Sequence, residues 1–115
     1  MTALKSIINY HDFQKLDIRI GTILSVEKVE GSEKLLKIIL DFGEENPRQI
    51  LSGIAKWFTS EDLVGKQVQA IINLEPRKMM GLESQGMILM ADDSGNQRVV
   101  LLHPHKLVPN GSLVL

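Results

Sequence analysis

The chain has 115 residues, 43% of them hydrophobic and 23% charged, which suits one compact domain with its own core and leaves little room for a second. It has no cysteine, which excludes a disulfide scaffold, a thiol nucleophile, a zinc knuckle and an iron–sulfur site. Thirteen Lys and Arg against fourteen Asp and Glu leave a formal charge of −1, so binding to a polyanion would need cations gathered on one face.

In chain order, a short helix is predicted over Asp12 to Leu16, capped by Asp12 or Asn9. Period-two alternation begins at Asp17. It places Ile18, Ile20, Leu24 and Val26 on one face and Arg19, Gly21, Ser25 and Glu27 on the other. Gly31-Ser32 reads as a loop, and Leu36, Ile38, Leu40 and Phe42 repeat the alternation up to Gly43 and the turn Glu44-Glu45-Asn46-Pro47. A third run covers Arg48 to Ile54. Thr59 with Asp62 matches a capping box for a helix over Ser60 to Val64, stopped at Gly65. Val68, Ala70, Ile72 and Leu74 form a fourth run ending at Pro76. Met87, Leu89 and Ala91 form a fifth, and after the turn Asp92 to Asn96 the segment Arg98 to Leu102 returns as its hairpin partner.

Five main strands with a short helix between the third and fourth predict an all-β chain folded as an OB-fold, a small Greek-key barrel. A β-sandwich gives the same strand signals but has no such helix and needs more strands. The whole chain, 1–115, reads as one domain, with 1–16 and 103–115 as terminal extensions. Exposed apolar residues in those extensions (Ile7, Ile8, Leu107, Val108, Leu113, Val114 and Leu115) predict a dimer that buries them. No apolar run is long enough for a membrane span, and Asp12 and Asp17 fall where a secretory signal would be apolar, so a cytoplasmic location is expected. Met1 followed by Thr2-Ala3-Leu4 reads as a natural start.

No enzyme signature stands up. Gly81-Leu82-Glu83-Ser84-Gln85-Gly86 has one residue too many for a nucleophile elbow and no long helix after it. His103 and His105 have no third ligand at a metal-site spacing, and the Asp92–Asn96 turn lacks the pattern of a calcium loop. Neither a catalytic residue, a metal site nor a cofactor is expected.

The informative stretch is Asn73-Leu74-Glu75-Pro76-Arg77-Lys78-Met79-Met80. A strand stops at proline and two cations follow, a pair able to contact two phosphates of one backbone. On composition alone, the solvated-loop reading of the pair is the preferred one, and the segment that follows changes this. Ser84 and Gln85 can hydrogen-bond to sugar or base edges; Met87 is read as a surface apolar contact and Met90 as core. One Trp, one Tyr and three Phe are too few for a row of base-stacking rings, and Trp57 and Phe58 read as barrel-capping core.

The chain resembles the tRNA-binding domain found at the C-terminus of many bacterial and archaeal methionyl-tRNA synthetases and as small free-standing proteins. The resemblance is carried by residues 12–21, by Glu30-Gly31-Ser32-Glu33-Lys34-Leu35-Leu36, Leu51-Ser52-Gly53-Ile54, Asn73 to Met79, Ser84-Gln85-Gly86-Met87 and Val108-Pro109-Asn110-Gly111. It implies an OB-fold that binds tRNA by shape with little regard to anticodon, as a homodimer. It also implies service as an accessory (beta) subunit or appended domain beside a catalytic methionyl-tRNA synthetase subunit. The residues implied to bind tRNA are Lys34, Asn73, Arg77, Lys78, Ser84, Gln85 and Met87; Gln85 stands where many relatives have an acid. The chain is similar as well to the CsaA export chaperones, which would make it a binder of unfolded polypeptide. The segments around Lys34 and Arg77 follow the synthetase pattern instead.

Overall fold

A computed structural model describes residues 3–115. Met1 and Thr2, on which the reading of a natural start falls, lie outside the described residues. Helix α1 (Tyr10–Gln14) precedes strands β1 (Ile18–Lys28), β2 (Leu36–Asp41) and β3 (Arg48–Ser52). Helix α2 (Ser60–Leu63) leads to β4 (Gln67–Ile71). Five short strands follow: β5 (Arg77–Met79), β6 (Leu82–Ser84), β7 (Met87–Ile88), β8 (Met90–Asp93) and β9 (Arg98–Leu101). The main sheet has the order β3-β2-β1-β4-β7, with antiparallel pairing throughout. Its ends approach each other where the Gln85 N–H donates to the Gln49 carbonyl at 2.7 Å. This is the expected OB-type barrel, with α2 between the third and fourth strands, and not a sandwich of two sheets.

The long strand β1 makes the closure possible by changing partners. Ile18 to Thr22 pair with β4, whereas Thr22 to Lys28 pair with β2. Between Ile23 and Ser25 the ladder shifts by a β-bulge, and a bulge reverses which residues face inward. The buried positions move from Ile18 and Ile20 to Gly21 and Ile23 ahead of the bulge, and to Val26 beyond it. Leu24, at the bulge, is exposed, correcting the even alternation that had placed Leu24 in the core. Ile23, Ile38, Leu40, Ile50, Leu63 and Val68 form the dry centre.

Local signals set the helices. Asn9 Oδ1 accepts from the Asp12 N–H at 2.8 Å, so Asn9 is the cap, and α1 begins two residues earlier than the Asp12 start. The Thr59 N–H donates to Asp62 Oδ2 at 2.8 Å, and that hydrogen bond holds the Asp62 carboxyl below its ordinary range. The β8–β9 hairpin pairs Met90 with Leu101 through Asp93 with Arg98, as expected from the turn between them.

The C-terminal segment is less of an extension than its sequence suggests. Residues 111–114 run beside the first half of β1, where Ile20 N–H donates to Ser112 O at 2.9 Å and Val114 N–H to Ile18 O at 2.9 Å. Gln67 clasps Val108 in both directions, its Nε2 donating to Val108 O and its Oε1 accepting from Val108 N–H. Val108 and Val114 are half-buried, while Ile7, Leu107 and Leu115 stand almost entirely in solvent.

Candidate nucleic-acid interface

Two elements at one end of the barrel carry the cations singled out above. Lys34 is exposed in the loop between β1 and β2. That loop is shaped by Ser32 Oγ, which accepts from the Leu35 N–H at 3.1 Å, and is tied down by the Ala55 N–H donating to Lys34 O at 2.9 Å. Arg77 and Lys78 are not in a loop. They lie on β5, half of a small hairpin in which Arg77 pairs with Ser84, Lys78 with Glu83 and Met79 with Leu82.

The hairpin turns at Met80-Gly81, both in the left-handed region with φ of 51° and 78°. Two successive positive φ values are the geometry of a two-residue hairpin turn matched to strand twist. Methionine seldom takes that conformation, which is why the sequence pattern concealed the turn. On the far side of the tip, a Cβ placed on Gly31 would lie 3.0 Å from Met80 Cε. The hairpin tip thus rests against the loop that holds Lys34, and the two basic elements meet.

Strand geometry separates Arg77 from Lys78. Neighbouring residues on a strand point to opposite faces, so the pair does not track along one backbone as adjacent loop cations would. Arg77 shares its face with the buried Ser84, Lys78 with the exposed Glu83. Among the described residues, ion pairs occupy Lys15, Arg19, Lys37, Arg48 and Arg98, but none involves Lys34, Arg77 or Lys78. The hydrogen bond that Arg19 donates to Asp17 holds its guanidinium more firmly protonated, and the one that Arg48 donates to Glu44 does the same.

The other residues implied to bind tRNA divide into one exposed side chain and three engaged within the protein. Met87 is 46% exposed on β7, while Met90 packs against the core. Asn73 Oδ1 accepts from the Asp17 N–H at 2.9 Å and its Nδ2 donates to Lys15 O at 2.7 Å, joining the end of β4 to the start of β1. Ser84 is buried; its Oγ accepts from the Leu51 N–H at 3.0 Å and donates to Gly86 O at 3.2 Å. Gln85 Oε1 accepts from the Gln49 N–H at 2.9 Å. Arg48, Gln49 and Glu83, absent from the sequence-level set, are part of the same neighbourhood. The third run, Arg48 to Ile54, gave no sign of the bond from Gln49 to Glu83 on β6.

Trp57 and Phe58 behave differently from each other. Phe58 packs against the core, whereas Trp57 is 37% exposed and uses its Nε1–H to hold Gln97 O at 3.0 Å. Lys56 Nζ stands 5.6 Å from the Trp57 ring centroid. No helix among the described residues is long and apolar enough to cross a membrane.

Residues 18–113 match the family model described as "Putative tRNA binding domain". The methionine–tRNA ligase of Methanosarcina mazei is 51% identical over 94% of this chain, a stretch amounting to 15% of that enzyme. The chain thus spans about a sixth of the length of the curated relatives it matches. Among solved structures, a MetRS-related protein from Pyrococcus horikoshii superposes with a TM-score of 0.88 at 34% identity, over 96% of this chain and 100% of that one. The chaperone CsaA of Bacillus anthracis superposes with a TM-score of 0.84 at 33% identity, also over 96% of this chain and 100% of that one.

Proposed function

Because the chain belongs to the tRNA-binding domain family, we propose that it binds folded tRNA by shape and charge, as an accessory subunit or appended domain of a methionyl-tRNA synthetase. The observation that carries this reading is the meeting of the Lys34 loop with the Arg77–Lys78 hairpin at Gly31 and Met80, which gathers three cations outside any ion pair on one end of a nearly neutral protein. Folded tRNA offers mainly phosphates and 2′-hydroxyls, which cations on the Lys34 loop and on the two sides of the hairpin meet without reading bases. Lys34, Arg77, Lys78 and Met87 make the direct contacts in this reading. Asn73, Ser84 and Gln85 support them by holding the backbone. The domain raises local tRNA concentration for a catalytic partner and performs no chemistry itself, in the cytoplasm and with no cofactor.

Two copies pair in this reading. Ile7 is 100% exposed and Leu115 is 94% exposed. Tyr10, Phe13, Leu16, Leu113 and Leu115, with Lys15, Asp17, Arg19 and Asn73 among their neighbours, border a groove of about 540 Å³. A monomer rarely leaves so much apolar surface in water, and a second copy supplies a matching one. Pairing also doubles the basic face.

Retention of folded tRNA in a gel or filter assay at about 50 mM salt, where phosphate contacts are strong, tests the proposal. Suppression of client aggregation without retention of tRNA would instead favour the polypeptide-binding reading that the CsaA likeness raises.

A further inference from the structure

The hairpin bearing Arg77 and Lys78 has little main-chain support of its own. Each strand has three residues, and the pair forms a separate two-stranded sheet. A ladder of that size is at best marginal in water. It is joined to β3 by the Leu51 N–H donating to Ser84 Oγ at 3.0 Å and by bonds that run through Gln49, Gln85 and Arg48. Gln49 Nε2 donates to Glu83 O at 2.9 Å, reaching directly onto β6. One residue past the hairpin, Gln85 Oε1 accepts from the Gln49 N–H at 2.9 Å, and the Gln85 N–H donates to Gln49 O at 2.7 Å. Below them, Arg48 Nη1 donates to Ile72 O at 2.7 Å and Gln85 O at 3.1 Å, while Glu44 holds the rest of its guanidinium through Nε at 2.6 Å and Nη2 at 2.9 Å. Gln49 therefore grips both the last strand of the hairpin, at Glu83, and the chain leaving it, at Gln85.

We propose that Gln49 and Gln85 are positioning residues for tRNA: they staple the basic hairpin to β3 so that Arg77 and Lys78 meet the RNA already ordered. This rests on the reading that the hairpin faces tRNA. Neither glutamine displaces a counterion, so their effect on affinity comes through the order of the hairpin. A segment that must first be ordered binds more weakly by the fraction of time it is out of place. Gln49 suits the test because its side chain is not buried and its main-chain bonds survive truncation.

The experiment compares the 115-residue chain with Gln49→Ala, Gln85→Ala, Gln85→Glu and Arg77→Ala. It reads amide exchange of Met79, Leu82 and Ser84, which lie in the hydrogen-bonded pairs of the ladder, by NMR and titrates bulk folded tRNA across salt concentrations. Gln49→Ala is expected to speed exchange in the hairpin and to weaken tRNA binding, each by about fivefold, the effect of one net hydrogen bond. Exchange in β1 and β2 should stay as it was, and so should the slope of log affinity against log salt. Gln85→Ala should behave alike, whereas Gln85→Glu keeps an acceptor for the Gln49 N–H and should keep the hairpin protected. Unchanged hairpin exchange in Gln49→Ala would overturn the staple. Faster exchange with unchanged tRNA affinity, while Arg77→Ala weakens binding, would overturn its role in positioning. If exchange quickens but neither Gln49→Ala nor Arg77→Ala alters affinity, the placement of tRNA on the hairpin fails, and the positioning role with it.

Discussion

Lys78 lies directly opposite Glu83 across the β5–β6 ladder, on the exposed face of the hairpin, with no ion pair between them. A carboxylate one strand away offsets part of the attraction that Lys78 exerts on a phosphate. A cross-strand charge pair contributes about 0.2–1 kcal/mol. Glu83→Gln should therefore strengthen tRNA binding by about 1.5- to 5-fold, an effect that shrinks as salt is raised. Titration of the variant and the parent chain against the same tRNA reads this; a weakened complex would mean that Glu83 itself helps to hold the ligand.

Ser84→Ala acts on the fold. Its hydroxyl bonds the Leu51 N–H and the Gly86 carbonyl in a buried position. Removing it leaves a buried donor unsatisfied, at a cost of about 1–3 kcal/mol. The denaturant midpoint should fall accordingly, with the salt slope of tRNA binding unaltered in the folded fraction. Full stability with a loss of tRNA affinity would instead assign Ser84 a direct role in holding the RNA.

Acid should loosen the chain. Hydrogen bonds from Arg48 lower the carboxyl of Glu44, the Thr59 N–H lowers that of Asp62, and Arg98 lowers that of Asp93. A depressed folded-state value stabilises above the unfolded one and is lost as pH falls through the folded one. Melting temperature should therefore drop as pH falls below 4.5 and 3.8, the ordinary values for Glu and Asp here. Asp62→Asn should flatten that acid limb. An acid limb identical to that of the parent would remove the capping carboxylate from this explanation.

Light scattering at micromolar concentration should give about twice the 12.9 kDa of one chain. Leu115→Asp, placed on the exposed apolar end, should shift the mass towards one chain without unfolding the barrel. A parent chain that runs at 12.9 kDa would contradict pairing.

The barrel was legible because alternation, a capping box and turn residues are local. Thr59 and Asp62 marked α2, and the Asp92–Asn96 turn marked the β8–β9 hairpin. What was hidden depends on distant partners or uncommon backbone. The bulge at Leu24 lies within the pairing of β1 with β2, which the alternation of one strand does not record. Met80-Gly81 lacks the Asn or Asp that announces a tight hairpin, so β5 and β6 read as loop. Asn73, Ser84 and Gln85 have the polar side chains expected of a binding face, yet their partners lie 56, 33 and 36 residues away. Only the closed barrel brings Asp17, Leu51 and Gln49 to them.

The most direct test is the salt dependence of tRNA binding for the parent chain, for a variant with Lys34, Arg77 and Lys78 all changed to Ala, and for Lys106→Ala as a control outside this face. The parent should bind different folded tRNAs with similar affinity. The triple variant should bind each more weakly, with a slope of log affinity against log salt shallower by about 0.7–0.9 for each phosphate no longer neutralised. Lys106→Ala should match the parent. A triple variant that binds tRNA as the parent does, or a Lys106→Ala that loses more affinity than the triple, would contradict an interface built on the Lys34 loop and the Arg77–Lys78 hairpin.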